Sequence, residues 1–201
     1  SIENLRIYEN TSHPKDVFFA LSHGVGTGKL RKKNTIKENN DPRVRFMNSL
    51  KNKLPSLKFN FYGMNGIQPI WASYFNKNIK DCFMGICLQR KPLLKYGLSD
   101  RISQYLGNGL MVFIENETEY YDILKKNEEA VYFDGVEDLA EKIEFYKKNK
   151  DKALNIAANG HKKIHSICNE KIITQYMLDC LCGNDVETLK SNYQWPINLY
   201  R

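Results

Sequence analysis

Three segments rich in glycine, amides and cations hold the residues of this chain best suited to chemistry. The first, Ser22-His23-Gly24-Val25-Gly26-Thr27-Gly28, runs into Lys29, Arg31, Lys32 and Lys33. The second is Tyr62-Gly63-Met64-Asn65-Gly66, and the third extends from Gln89 and Arg90 to Ser99, Asp100 and Arg101. Glycines such as Gly24, Gly26 and Gly63 let backbone N–H groups approach an anion. Arg31, Arg90 and Arg101 offer guanidinium forks that pair with phosphate oxygens in a bidentate manner. Ser99 reads as the cap of a helix whose N-terminus favours negative charge. The shared chemistry is phosphate binding. Each feature alone reads as a loop or a solvated charge, and Gly24-x-Gly26-x-Gly28 lacks the G-x-G-x-x-G spacing of a dinucleotide site. Co-location on one edge of the fold would give them force.

Other chemistries find less support. The four histidines, His13, His23, His161 and His165, form no ligand set with nearby acids, and the i, i+4 pair His161/His165 has no H-E-x-x-H around it. No serine or cysteine has an identifiable base, so no catalytic residue is assigned. The chain carries a net charge of +7 and a pI of about 9.0, which speaks to partners rather than fold. The basic residues interleave with acids from Glu115 onward and show no nucleic-acid motif, so nucleic acid is not expected as a partner. The five cysteines, Cys82, Cys87, Cys168, Cys180 and Cys182, form neither a zinc knuckle nor a C-x-x-C pair. They read as reduced, mostly buried thiols in a reducing compartment. No run approaches the ~20 apolar residues of a membrane span, and no signal peptide opens the chain. Cytoplasmic localisation is expected.

The elements that must position these loops alternate between short apolar runs and amphipathic ones, as in βαβ units on a parallel sheet. With 42% hydrophobic residues in 201, a core of domain size is available. Strands are predicted over residues 16–21, 57–61, 82–88, 110–114 and 130–133. Asp41-Pro42 starts a helix carrying Val44, Met47, Leu50 and Leu54. Further helices are predicted over 69–80, 99–107 and 118–126. An Asp134-to-Glu137 capping box opens another. Residues 151–182 read as helix broken near Gly160, and 183–201 as an extended tail. The division is a lead-in over 1–13, one α/β Rossmann-like domain over 14–182 and the tail. All three chemistry-bearing loops then follow strands, where open parallel sheets bind ligands.

Ser99-Asp100-Arg101-Ile102-Ser103-Gln104-Tyr105-Leu106-Gly107-Asn108-Gly109 resembles the S-x-R-I-x-E-x-L-x-x-G segment of bacterial family-1-like glycosyltransferases, the spore-maturation (CgeB-like) group. Cys87-Leu88-Gln89-Arg90, Asp16 to Phe19, Glu129 to Leu139 and Asn155 to Gly160 are similar to flanking elements, so the resemblance spans about residues 14–180. It implies the GT-B architecture, in which two Rossmann-like domains face a cleft and the C-terminal one binds the sugar nucleotide. The chain would be that C-terminal half, excised from an acceptor-binding N-terminal domain. By this resemblance Gln104 stands where relatives carry a glutamate that bonds the donor ribose. A second glutamate, expected near Tyr96, has no counterpart.

The implied function is donor binding for transfer of a sugar from a nucleoside diphosphate to an acceptor, as in bacterial cell-surface glycan synthesis. The nucleotide sugar is the substrate, and neither a cofactor nor a metal is required. The expected donor edge comprises Gly24, Gly26, Arg31, Gly63, Gln89, Arg90, Ser99, Asp100, Arg101 and Gln104. A non-catalytic nucleotide-binding domain of the same fold is the alternative.

Overall fold

The computed structural model describes residues 5–22, 41–97 and 100–195. Five parallel strands form one sheet: β1 (Val17–Ala20), β2 (Phe59–Tyr62), β3 (Met84–Cys87), β4 (Met111–Glu115) and β5 (Val131–Phe133). Their order is β2-β1-β3-β4-β5. Val17 pairs with both Phe59 and Met84, Met84 with Met111, and Phe113 with Val131. The order reverses direction between β1 and β3, so a crevice opens beyond the carboxyl ends of those two strands.

The strands are short because they are buried on both faces, and their period of two divides the core. Val17, Phe19, Met84, Ile86, Met111, Phe113, Val131 and Phe133 face one cluster. Phe18, Val112, Ile114 and Tyr132 face the other. Helices α1 (Pro42–Lys53) and α4 (Gly135–Lys148) cover the first face through Val44, Met47, Leu50, Leu139 and Ile143. Helices α2 (Ala72–Ile79) and α3 (Asp100–Asn108) cover the second through Ile79, Ile102, Tyr105 and Leu106. Helix α5 (Lys150–Ile167) is followed by α6 (Glu170–Leu181) and α7 (Val186–Asn192). No described helix is long and apolar enough to cross a membrane.

Gly85 sets the seat of α3. A Cβ there would lie 2.6 Å from the Tyr105 ring, so only glycine in β3 lets the ring settle on the sheet. The Tyr105 hydroxyl in turn accepts a hydrogen bond from Ala20 N at 3.2 Å. This ties α3 to the end of β1.

Several expectations need correction. Residues 118–126 do not form a helix; two single 3-10 turns, Asn116–Thr118 and Tyr120–Asp122, stand there. Glu119 between them is left-handed, at φ 54°, which ends each turn. Helix α5 runs unbroken through Gly160 and stops at Cys168, where Asn169 starts α6 by accepting from Lys171 N and Ile172 N. The tail contains α7, capped by Asp185 through Thr188 N. Asp134 makes no side-chain cap; its backbone N–H donates instead to Asp138 Oδ2 at 2.8 Å. Of the five free cysteines, only Cys82 and Cys87 are buried, while Cys168, Cys180 and Cys182 are exposed. Asp41 caps α1 as expected, accepting from Arg43 N at 3.0 Å with Pro42 at the first position.

Candidate functional site

A cleft of about 1130 Å³ opens beyond the end of β1. Ala20, Leu21 and Ser22 form its base, α3 one wall, and the segment from Pro69 to Asn76 another. The junction of α5 and α6 closes it with Ile164, His165, Cys168, Asn169 and Glu170.

Arg101 stands in the first turn of α3 and lines this cleft. Its Nη1 donates to the Leu88 carbonyl at 2.6 Å, just past β3. Its guanidinium carbon lies 5.5 Å from the centroid of the Phe19 ring on β1. One cation therefore bridges the two strands that flank the crevice. The carbonyl and the ring hold it half-buried in a single orientation. Asp100 and Gln104 line the cleft from the same helix and are exposed.

The other expected residues take different places. Gln89 does not line the cleft. Its side-chain amide donates to the Gly97 carbonyl, and its backbone N–H to Glu115 Oε2 at 2.7 Å. It braces the loop that leads into α3. Glu115 ends β4, and burial raises its carboxyl above the ordinary range, against the lowering effect of the Gln89 N–H and of Lys91. Arg90 is exposed and does not line the cleft. Gly63 sits at φ +75°, and a Cβ there would fall 1.8 Å from the Leu21 carbonyl oxygen. It supports the base of the cleft rather than its surface. Gly24, Gly26, Arg31 and Ser99 lie outside the described residues.

Two walls were not anticipated from the sequence. Trp71 and Phe75, from the segment predicted as a helix over 69–80, line the cleft. His165 reaches it from far along the chain, and its Nε2–H donates to the Gly107 carbonyl at 3.1 Å. That contact fixes the proton on Nε2, because a carbonyl only accepts. Asn169 Nδ2 donates to the His165 carbonyl at 2.9 Å. Among the described residues no group of three or more His, Cys, Asp or Glu side chains could hold a metal ion.

The sequence model of one family, described as glycosyl transferase-like, matches residues 41–177. No curated protein matches the chain. Among solved structures, HepE of Anabaena in complex with UDP and glucose aligns with a TM-score of 0.62 at 11% identity, over 85% of this chain and 49% of that one. TarM aligns with a TM-score of 0.57 at 14% identity, over 85% of this chain and 36% of that one. A glycosyltransferase from Rickettsia africae aligns at 0.55 and 13% identity, over 89% and 50%. The chain thus spans half or less of the length of these proteins, and the likeness is one of fold: a parallel sheet flanked by helices, as in GT-B glycosyltransferase domains.

Proposed function

The chain belongs to the glycosyl transferase-like family, and from that premise we propose that it binds the nucleotide-sugar donor of a glycosyl transfer. The observation that carries this reading is Arg101, held between β1 and β3 at the start of α3, inside the cleft. Breaking a glycosidic bond to a nucleoside diphosphate builds negative charge on the leaving phosphate. A fixed guanidinium beside a helix N-terminus stabilises that charge without reorganising. Asp100 and Gln104 stand on the same helix and offer acceptors to hydroxyls of the donor. The UDP and glucose bound by HepE support a nucleotide-sugar ligand here. The Ser99 to Gly109 segment supports a place near the spore-maturation group. We take transfer itself to need a second Rossmann-like domain that presents the acceptor, so this chain alone binds the donor without turnover.

Calorimetric titration with uridine, guanosine and thymidine diphosphates tests the reading. Arg101→Ala is expected to weaken the preferred nucleotide by about 1.5–3 kcal/mol, the range for a charged hydrogen bond. Equal affinity in both proteins removes Arg101 from the site. A second reading, nucleotide binding without catalysis, is favoured by Gln104 in place of the glutamate of relatives. Release of the nucleoside diphosphate from its sugar, measured with both domains present, separates transfer from binding alone.

A further inference from the structure

Among the described residues lining the cleft, Arg101 stands against Asp100 and Glu170, so these give no surplus of positive charge. The surplus has a different place in the fold. Residues 11–16, 51–58 and 77–83 lead into β1, β2 and β3, and residues 147–152 join α4 to α5. All four segments meet at the amino-terminal edge of the sheet. Lys15 N donates to the Asp81 carbonyl, and Asp16 N to the Lys58 carbonyl. Lys147 Nζ donates to Asp16 Oδ2 and to the Ser56 carbonyl, each at 3.1 Å. Lys150 Nζ donates to the Thr11 carbonyl at 3.0 Å. The four segments hold ten of the 30 basic residues but three of the 23 acidic ones, Asp16, Asp81 and Asp151. That excess of seven equals the net charge of the whole chain, so the remainder is balanced.

Helix stabilisation explains part of this edge. Helices α1, α2 and α4 end here, and a cation is favourable at a helix C-terminus. Lys51, Lys53, Lys77 and Lys148 fit that role. Lys150 and Lys152 do not, because they stand in the first turn of α5, where the same dipole disfavours a cation. Lys15 and Lys58 stand in loops. All ten basic residues are lysines. Arginine is the side chain suited to bidentate recognition of one phosphate, whereas lysine acts as a point charge in a diffuse field. Phe145 lies beside the cations, 46% exposed, with its ring centroid 5.3 Å from Lys152 Nζ. An exposed aromatic ring among lysines suits the headgroup layer of a bilayer. The outside of a nucleic-acid duplex offers that ring no apolar surface.

We propose that this edge docks the protein on an anionic lipid surface. The lysines attract the charged headgroups, and Phe145 enters the headgroup layer between them. The contact is peripheral. The cleft opens beyond the carboxyl ends of the strands, at the far edge of the sheet, and stays open when the chain is docked. The proposal is therefore independent of what the cleft binds.

Sedimentation with lipid vesicles tests it. One set of vesicles is phosphatidylcholine alone, and the other has one part phosphatidylserine to two parts phosphatidylcholine. The wild type is expected to sediment with the second set only and to be released as salt rises. Lys148→Gln/Lys152→Gln should lower the partition coefficient about thirtyfold, equivalent to ~2 kcal/mol, at an unchanged melting temperature. Lys162→Gln/Lys171→Gln removes the same charge from exposed sites outside this edge. It should lower partition by no more than about threefold, since distant charges are screened. A wild type left in solution by phosphatidylserine vesicles overturns the proposal, and does so equally if random duplex DNA is retained instead. Sedimentation with phosphatidylcholine alone overturns it as well, because charge then plays no part. So does an equal loss in the two double variants, because the attraction then belongs to net charge rather than to this edge.

Discussion

Arg101 spends one guanidinium nitrogen on the Leu88 carbonyl and its face on the Phe19 ring. Its substitution therefore acts on the fold, whatever it does to a ligand. Arg101→Ala leaves a carbonyl without its donor and is expected to lower stability by about 1–2 kcal/mol in urea unfolding. His161 is the other residue whose surroundings decide its chemistry. Burial first, then the positive charge of His165 and Arg6, hold its pKa at about 4, against the opposing effect of Glu9. In the unfolded chain it returns to about 6.5. Between those values the unfolded state binds a proton that the folded state refuses. The resulting stability is full above about pH 6.5 and is lost as pH falls towards 4. His13, lowered by burial and by Lys150, acts in the same direction. The melting temperature should drop between about pH 7 and pH 4.5, and drop less in His161→Gln. Parallel curves for the two proteins would show that His161 contributes nothing.

At the scale of elements, α5 shows packing overruling propensity. Gly160 lies inside this helix, where alanine is preferred by about 1 kcal/mol. A Cβ at Gly160 would meet the Glu129 carbonyl oxygen at 2.3 Å and Leu106 Cδ2 at 2.8 Å. The carbonyl belongs to a backbone turn and cannot swing aside as a side chain can. Overpacking of this kind costs about 1–3 kcal/mol. Gly160→Ala is thus expected to destabilise the protein by about 1 kcal/mol or more, read by denaturant midpoint. A midpoint at or above that of wild type would show that α5 can move off α3. The sequence offered the glycine but not its reason, since a helix break and a close helix contact look alike in one dimension.

Across the whole molecule, stability should fall off towards the C-terminal helices. Helix α5 buries Ala153, Ile156, Ala157, Gly160, His161 and Ile167. Helix α6 buries no residue, and Ile173, Met177, Leu178 and Leu181 are exposed on it. What α6 does hold is a local pairing with the segment after α7, in which the Tyr193 hydroxyl donates to Asp179 Oδ2 at 2.5 Å. Amide hydrogen exchange should therefore open α6 at a lower free energy than the buried stretch of α5. Equal protection of the two helices would mean that α6 is covered in solution.

The sequence by itself determined the parallel α/β class, the five strands and the helix that starts at Pro42. It did so because doubly buried strands must be short apolar runs and because caps act within a few residues. By its place after a strand and by the Ser99 to Gly109 resemblance it also named Asp100, Arg101 and Gln104, which line the cleft together because one helix turn brings neighbours in sequence to one wall. Tertiary structure decided the rest of the site. Gln89 became a brace for its own loop, Gly63 a support under Leu21, and Arg90 stayed outside the cleft. Trp71 and His165 entered it from segments far apart in the chain. Which loops meet depends on strand order, which is fixed by long-range packing that leaves no mark at the residues themselves.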